Sequence, residues 1–277
     1  MQKDSPAPDL LAKLMYYVCP VRKKTIRENM RIVFGTDGSA RDLKKLHQLF
    51  YAHLMRLAFE NLSALWTSPE KLKQKVDVIG YEKVLKAAAQ KKGILILTGH
   101  FGNWEMGAVG GMLGFAPFKG RFHILRKNIV NKFVEKTLFG RFERAGLNVV
   151  PKRNSLDRIL GALADNDAVV FVMDQYAKPG HDGILVDFFG RPAGTFRSLA
   201  LVARVTGAPV LPMVCYRRPD GKHTLEFSDP VPWIEHPEAD REIHLNTLGY
   251  NRLLEKMVLA NPAQWLWSHR RWKVKDI

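Results

Sequence analysis

A histidine stands directly after an apolar run in the first half of the sequence. The run GILILT (93–98) is followed by GHFGNWE (99–105), in which His100 and Glu105 are the two residues able to move or orient a proton. A carboxylate that binds one imidazole nitrogen fixes the tautomer, and the other nitrogen is then a base with a pKa near neutral pH. Because this string contains no serine or cysteine, the pattern indicates general-base chemistry in which the substrate's own hydroxyl group is the nucleophile.

The spacing of His100 and Glu105 predicts a strand, a turn and a helix. Five residues along one continuous helix rotate about 500°, which would leave the two side chains about 140° apart. Gly102 permits a sharp turn, and Asn103 is a good N-cap that places Trp104 and Glu105 in the first helical turn. A helix N-terminus favours the ionised form of Glu105. A lone histidine after a strand is more often a structural hydrogen-bonding group, but the complete string favours the functional interpretation.

The surrounding elements predict an α/β protein with a mainly parallel central sheet flanked by helices. Residues 8–75 have a helical apolar pattern, which predicts an N-terminal helical cap (1–75) on an α/β core (76–277) within one domain. In the core, short apolar runs alternate with helical stretches, as in βαβ units. HTLEFSDP (223–230) alternates like an antiparallel strand, and a final helix stops at Asn261 and Pro262. The predicted strands are 93–98, 121–125, 147–151, 168–173 and 209–216, and the predicted core helices are 104–113, 130–145, 154–165 and 195–206.

The composition is that of a globular protein with a strongly basic surface. The chain has 277 residues, of which 46% are apolar and 25% charged, and 43 Lys and Arg against 27 Asp and Glu give a net charge of +16. This excess points to an anionic partner, which could be nucleic acid, a membrane surface or an acidic protein. Cys19 and Cys215 are far apart, so neither a disulfide scaffold nor a zinc site is predicted.

The first apolar segment is too short to cross a bilayer. LLAKLMYYVCPV begins at residue 10 and contains Lys13, whereas a bilayer needs about 20 apolar residues. Two interpretations stay open: an amphipathic helix in the membrane interface, or a helix packed on the core.

The chain resembles a known family in several segments that follow one another in the same order. GHFGNWE resembles the HxxxxD/E block of glycerolipid-type acyltransferases, in the form found in the late, Kdo-dependent lipid A biosynthesis acyltransferases. The resemblance continues over most of the chain, from about residue 11 to residue 273. The similar segments are CPVRKKTIRENMRIVFG (19–35), the approach to the first block (65–98), LRKN (125–128), VMDQ (172–175), VDFFGRPAGT (186–195) and QWLWSHRRWK (264–273).

The resemblance implies an O-acyltransferase with a glycerolipid-acyltransferase-like fold and no metal or other cofactor. Members move an acyl chain from a thioester, on acyl carrier protein or CoA, to a hydroxyl of a lipid acceptor. By this resemblance His100 is the general base and Glu105 orients it, while Arg126 holds an anionic group or the oxyanion. Asn128 and Asp174 match residues near the family's site. Backbone N–H groups near 103–105 are candidate oxyanion donors. Together with the residues that match the family's blocks, the substrate-binding candidates are Arg126, Asn128, Asp174, Gly102, Asn103 and Trp104.

The resemblance also implies partners and a location. The donor is acyl carrier protein or acyl-CoA, the acceptor is most simply a lipid A precursor, and the enzyme works at the cytoplasmic face of the bacterial inner membrane. Family members commonly begin with a membrane-spanning helix, of which this chain holds at most the last turns, so peripheral binding or a short N-terminal anchor is expected. The basic residues expected to face anionic partners are Lys23, Lys24, Arg27, Arg126, Lys127, Lys152, Arg153, Arg270 and Arg271.

Other acceptors and other classes of function stay open on sequence grounds. PAGTFRS (192–198) is reminiscent of the phosphate-binding string of glycerol-phosphate acyltransferases, so a lysophospholipid or another glycolipid is an alternative acceptor. Residues after the motif, namely Trp104, Met112, Leu113, Phe115 and Phe118, could line an acyl groove or be plain core. A non-catalytic basic membrane-binding protein is the alternative from another class. Nucleic-acid binding lacks a supporting motif, and a serine hydrolase lacks the G-x-S-x-G elbow.

Overall fold

The structure is a computed structural model that describes residues 9–18, 21–35, 40–115, 118–126, 140–151 and 155–273. These residues form nine strands and nine α-helices, numbered here in chain order, and residues 140–144 form the described part of a further helix. The helices are α1 (Leu10–Val18), α2 (Lys23–Phe34), α3 (Ala40–Ser63), α4 (Pro69–Lys73), α5 (Tyr81–Ala88), α6 (Trp104–Gly114), α7 (Leu156–Ala164), α8 (Ser198–Thr206) and α9 (Ala239–Ala260). The strands are β1 (Val76–Ile79), β2 (Ile94–Thr98), β3 (Phe122–Arg126), β4 (Leu147–Pro151), β5 (Ala168–Val172), β6 (Gly183–Phe188), β7 (Arg191–Phe196), β8 (Val210–Arg217) and β9 (His223–Phe227).

Seven strands form one sheet in the order β1-β9-β8-β2-β5-β3-β4. Strands β8, β2, β5, β3 and β4 are mutually parallel. Strand β9 pairs antiparallel with β8 and parallel with β1, so the last two strands run in the opposite direction. The predicted α/β class, the mainly parallel sheet and the antiparallel strand at 223–230 are therefore confirmed.

Strand β2 lies at the centre of the sheet and is buried on both faces. All five of its residues are buried, and they alternate between two apolar layers. Leu95 and Leu97 pack into the layer that includes helices α7, α8 and α9, whereas Ile94 and Ile96 pack into the layer beneath α5 and α6. Helices therefore cover both faces, as expected for a continuous apolar strand in a parallel sheet.

The N-terminal helices pack against one another and against the sheet layers. Helix α1 runs antiparallel to α3, since Asp9 pairs with Arg56 and Tyr17 hydrogen-bonds with Lys44. Helix α4 begins with Ser68 as its N-cap and proline at its first position. The division into a cap and a core within one domain stays a prediction.

Two features of the sheet region differ from the sequence prediction. The short strand β1 lies in a stretch where no strand was predicted. The predicted helix 195–206 begins only at Ser198, because the residues before it form β7, which pairs with β6 in a separate hairpin. Phe189 and Gly190 connect these strands, both with positive φ, the geometry of a type I′ hairpin turn. Of the predicted helix 130–145, residues 140–145 are described, and 140–144 of them are helical.

Candidate active site

His100 and Asp174 meet because two neighbouring parallel strands are in register. Thr98 pairs with Val172 at the carboxyl ends of β2 and β5, and each site residue lies two positions beyond its strand. Asp174 Oδ1 lies 2.8 Å from His100 Nδ1, and Asp174 Oδ2 accepts a hydrogen bond of 2.9 Å from the His100 backbone N–H. The ring and the backbone of His100 are thus held by one carboxylate, which places the site at the edge where open α/β sheets bind their ligands.

Burial and neighbouring charges set the charge states of the Asp174 carboxyl and the His100 imidazole. Burial alone would raise the pKa of Asp174, but the charge of His100 and the hydrogen bonds from His100 and Trp265 outweigh it and hold the pKa at about 2. Burial would lower the pKa of His100, yet the charge and hydrogen bond of Asp174, with the charge of Glu105, raise it above its ordinary value. An ionised Asp174 can only accept, so Nδ1 carries the ring proton and Nε2 is the basic nitrogen of the neutral ring.

The C-terminal segment completes the support of this pair. Trp265 Nε1 donates a hydrogen bond of 2.9 Å to Asp174 Oδ2. The same segment lies beside the motif, with a bridge from Phe101 to Trp265 and a hydrogen bond of 3.1 Å from the Leu266 N–H to the His100 carbonyl. Sequence reasoning noticed the segment QWLWSHRRWK but missed Trp265 as a site residue, because nothing in its spacing pointed to a residue 91 positions away.

Glu105 is not the hydrogen-bond partner of His100 that the sequence predicted. It lies in the first turn of α6, lines the same cavity as His100 and forms an ion pair with Arg141. The carboxylate acts on the imidazole through its charge rather than through a hydrogen bond. The predicted contact between His100 and Glu105 is wrong because each residue binds a more distant one: His100 binds Asp174, and Glu105 binds Arg141.

The turn before α6 is built as predicted, from residues that are buried or half-buried. Gly102 has φ +54°, and a Cβ there would lie 2.5 Å from the Cys215 carbonyl oxygen, so a side chain does not fit. Asn103 is fully buried, caps the Met106 N–H at 2.9 Å and therefore has its amide directed into the protein. Trp104 is half-buried and meets the His100 ring edge-on, with centroids 4.9 Å apart.

A buried polar cluster behind the turn ties α3 to the site. Glu60 accepts two hydrogen bonds of 2.6 Å from Arg217 and one of 2.9 Å from the Asn103 amide. Burial would raise the pKa of Glu60, but hydrogen bonds from His223, Arg217 and Asn103 lower it well below its usual range. Burial and the Arg217 charge lower the pKa of His53 to about 3. Sequence reasoning missed this cluster, since its members lie on separate elements.

The structure describes only some of the remaining candidates from the sequence, namely Arg126, Asn128 and the basic residues expected to face anionic partners. The backbone of Arg126 ends β3 at the site edge of the sheet, while Asn128, Lys127, Lys152 and Arg153 lie outside the described residues. Arg271 was expected to face an anionic partner, and this is wrong because it is completely buried. Its guanidinium donates to the Gly194 carbonyl and, at 2.7 Å, to Thr195 Oγ1. Arg271 therefore holds the β6–β7 hairpin.

An apolar cavity of about 360 Å³ extends from His100 beneath α6. Of the residues that the sequence left open between an acyl groove and plain core, Trp104, Met112 and Phe115 line the cavity, whereas Leu113 and Phe118 do not. Phe118 is instead buried against Phe115, with ring centroids 5.0 Å apart. The lining of the cavity is mainly apolar, and His100 is one of its few polar residues.

Two further polar groups lie close to this region. Gln175 Nε2 is 3.3 Å from His100 Nε2, so its amide can donate to the basic nitrogen of the neutral ring. Cys215 lines the cavity, but burial raises the pKa of its thiol to about 12. A thiol with that pKa is protonated at neutral pH and is a poor nucleophile. Among the described residues no group of three or more His, Cys, Asp or Glu side chains is arranged to hold a metal ion.

A mostly parallel sheet with a histidine at its carboxyl edge and an apolar cavity beside it defines an acyltransferase-like α/β protein. The sequence profile described as "Bacterial lipid A biosynthesis acyltransferase" matches residues 5–274, so the chain belongs to this family and is an acyltransferase. The alternative of a non-catalytic membrane-binding protein is therefore wrong.

Individual relatives agree with the family. The chain is 26% identical over 265 residues to "Lipid A biosynthesis lauroyltransferase" of Escherichia coli (strain K12), covering 96% of this chain and 83% of the relative. It is 25% identical over 259 residues to "Lipid A biosynthesis palmitoleoyltransferase" of the same organism, covering 92% and 80%. It is also 26% identical over 206 residues to "Phosphatidylinositol mannoside acyltransferase" of Mycolicibacterium smegmatis, covering 71% and 64%.

Within the described part of the chain, no helix is both long enough and apolar enough to cross a bilayer.

Proposed function

We propose that this enzyme transfers a fatty acyl chain from a thioester to a hydroxyl of a lipid A precursor, with His100 as the general base. The observation that carries the proposal is the position of the His100 ring, which is held by Asp174 at one end of an apolar cavity. The cavity offers the acyl chain an apolar site, and the thioester carbonyl then lies near the imidazole.

The reaction follows from this arrangement. His100 Nε2 takes the proton of the acceptor hydroxyl as its oxygen attacks the thioester carbonyl carbon, and the C–S bond then breaks. The imidazolium returns the proton to the departing thiolate, so the products are the ester and the free thiol. Asp174 keeps the Nδ1 proton in place and stabilises the imidazolium, and Glu105 adds a second negative charge nearby. A thioester is already activated, so no covalent enzyme intermediate is needed.

Two backbone N–H groups near the turn already donate to other acceptors, which reduces the number of candidate oxyanion donors. The Gly102 N–H donates to the Gln264 carbonyl at 2.9 Å, and the Met106 N–H donates to Asn103 Oδ1. The first N–H groups of a helix have no intrahelical acceptors, so the N–H groups of residues 103–105 are the oxyanion candidates. Arg126 and Asn128 are further candidates for holding an anionic part of the acceptor or donor.

The acceptor and the donor are proposed from the relatives and the charge. Family membership and two relatives named for lipid A biosynthesis support a lipid A precursor as acceptor. The relative named for phosphatidylinositol mannoside favours another glycolipid as the second candidate. Acyl carrier proteins are acidic and CoA carries phosphate groups, so the net charge of +16 favours an anionic donor of either kind.

We further infer that α1 lies in the interface of an anionic membrane at the cytoplasmic face of the inner membrane. Leu10, Leu14, Tyr17 and Val18 form one exposed stripe, whereas Ala12 on the opposite side is buried. An apolar stripe on a helix in a basic chain binds membrane surfaces through both apolar burial and charge. We expect the protein to bind anionic vesicles, to bind them more weakly as salt is added, and not to bind neutral vesicles.

The function is tested with purified enzyme, lauroyl acyl carrier protein or lauroyl-CoA, and a panel of lipid acceptors. Thiol release and mass spectrometry of the lipids identify the donor and the acceptor together. His100→Gln is expected to keep the fold and lose nearly all transfer, whereas His244→Gln, on α9, serves as the matched control. Normal transfer by His100→Gln, measured with equal circular dichroism, would refute the base assignment.

A further inference from the structure

A side-chain amide lies against the nitrogen of His100 that acts as the base in the proposed reaction. Gln175 Nε2 is 3.3 Å from His100 Nε2. Because the ionised carboxylate of Asp174 accepts from Nδ1 at 2.8 Å, Nε2 of the neutral ring carries a lone pair and can only accept a hydrogen bond. The amide N–H of Gln175 is therefore its donor before any substrate binds. The transfer described above gives this amide no role.

The backbone on both sides of Gln175 is held, so the point from which its side chain extends is built into the fold. Before it, the Met173 N–H donates to the Thr98 carbonyl at 2.9 Å, which continues the pairing of β5 with β2. After it, the Tyr176 N–H donates to His269 Nε2 at 3.0 Å. The freedom that remains to Gln175 is rotation about its side-chain bonds.

The amide of Gln175 stands where a nucleophile must bind. General-base catalysis requires the oxygen of the nucleophile within about 2.6–3.2 Å of the base, and the amide nitrogen already lies on that nitrogen of His100. The side chain of His100 is 19% exposed, so solvent reaches it. An oxygen that binds His100 Nε2, from water or from an acceptor, must therefore displace the amide.

Hydrolysis of the donor is the side reaction that an uncovered base would allow. Water gives a proton to His100 Nε2 as its oxygen attacks the thioester carbonyl carbon, and the C–S bond breaks. The imidazolium then returns the proton to the departing thiolate, so the products are a free fatty acid and a thiol. Transfer follows the same steps with the acceptor hydroxyl in place of water, so the chemistry by itself does not favour the acceptor.

We propose, resting on the function proposed above, that Gln175 protects the thioester from water by covering His100 Nε2 until an acceptor hydroxyl displaces its amide. A water molecule exchanges one hydrogen bond for another, so it competes with the amide directly. A lipid acceptor is bound through many contacts, and that binding free energy displaces the amide as well. Gln175 thus sets the ratio of transfer to hydrolysis.

The test is the ratio of hydrolysis to transfer in one reaction with lauroyl acyl carrier protein and a lipid A precursor. Free fatty acid and acylated lipid are both measured by mass spectrometry. Gln175→Ala removes the donor and opens its place to water, so the ratio is expected to rise about fivefold, the effect of one neutral hydrogen bond. A purely structural defect would lower both rates together. Gln90→Ala, at an exposed position after α5, is the matched control and should leave the ratio unchanged.

A second variant, Gln175→Glu, tests whether this side chain reaches the base. A carboxylate at this position accepts from the imidazolium Nε2–H, so the acid limb of both rates is expected to move to higher pH by about one unit or more. The titratable groups around His100 are Asp174 after β5, Glu105 on α6 and His269 in the C-terminal segment, and the variant leaves all three in place. Since it keeps the size of the side chain, this variant also serves if Gln175→Ala does not fold.

The outcomes separate the two proposals. An unchanged or lower ratio in folded Gln175→Ala, or an unmoved acid limb in Gln175→Glu, overturns the inference about Gln175 while transfer itself continues. Loss of both reactions in folded Gln175→Ala also overturns it, because the residue would then be needed for the chemistry itself. Absence of transfer by the wild type with every donor and acceptor, or normal transfer by His100→Gln, instead overturns the proposed function.

Discussion

Asp174 Oδ1 lies 2.8 Å from His100 Nδ1, and the two residues occupy equivalent positions, each two residues beyond the paired ends of β5 and β2. Their pairing is thus a consequence of strand register. Asp174 is buried, and a second donor, Trp265 Nε1, holds its other oxygen. A carboxylate fixed in this way keeps the imidazole in one tautomer and one orientation.

Replacing Asp174 is expected to reduce turnover and to change its pH dependence. Asp174→Asn removes the charge that raises the His100 pKa, so the acid limb of the rate profile moves to lower pH. By comparison with other carboxylate–histidine pairs, the expected fall in kcat is about 10²- to 10⁴-fold. The rate of thiol release measured across pH checks both effects. Asp165→Asn, at an exposed position after α7, is the control, and a profile unchanged in Asp174→Asn would show that the carboxylate has no influence on the base.

Replacing Arg141 is expected to move the acid limb of the pH–rate profile to higher pH, opposite to the shift expected for Asp174→Asn. Arg141 pairs with Glu105, whose negative charge raises the His100 pKa. Arg141→Ala removes a nearby positive charge and leaves that of Glu105 uncompensated, so the acid limb moves to higher pH. Arg144→Ala, an exposed residue in the same helical stretch, is compared in parallel. Shifts of equal sign in Asp174→Asn and Arg141→Ala would contradict this electrostatic account.

The His100–Asp174 pair is expected to stabilise the fold within a limited pH window. The Asp174 pKa is lowered to about 2, so its contribution is present above its unfolded pKa of about 3.9 and is lost as pH falls towards 2. The His100 pKa is raised, so its contribution is complete below its unfolded pKa of about 6.5 and is lost as pH rises through the folded value. The difference in unfolding free energy between wild type and Asp174→Asn, measured by urea denaturation, should be largest between about pH 4 and 6.5. A difference that is constant with pH would exclude this linkage.

Breaking the buried pair of Glu60 and Arg217 is expected to destabilise the protein. Both side chains are largely buried, with 19% and 8% exposure, so Glu60→Ala leaves the Arg217 guanidinium without its paired carboxylate. Loss of one partner of a buried pair costs about 3 kcal/mol of unfolding free energy. Urea denaturation measures this loss, and Glu28→Ala, which removes an exposed ion pair with Lys24, should have little effect. Equal stability of the Glu60 and Glu28 variants would show that the cluster does not hold α3 to the site.

Much of the fold could be predicted from the sequence because its signals are local. The apolar run GILILT predicts a strand buried on both faces, and β2 is buried in that way. Asn103 caps α6 as its residue type and position predicted. The short strand β1 and the hairpin of β6 and β7 were not predicted, because VDVI is only four residues long and the end of β7 falls in the predicted helix 195–206.

The sequence by itself determined the class of fold, the place of His100 at the end of a central strand, and a resemblance that family membership confirms. Only the tertiary structure decided which carboxylate contacts the imidazole. Periodicity and capping act over a few residues, whereas the contact of Asp174 with His100 joins residues 74 positions apart. That contact depends on which strands are neighbours and on their register, and the apolar cavity beside His100 depends on packing between α6 and the sheet.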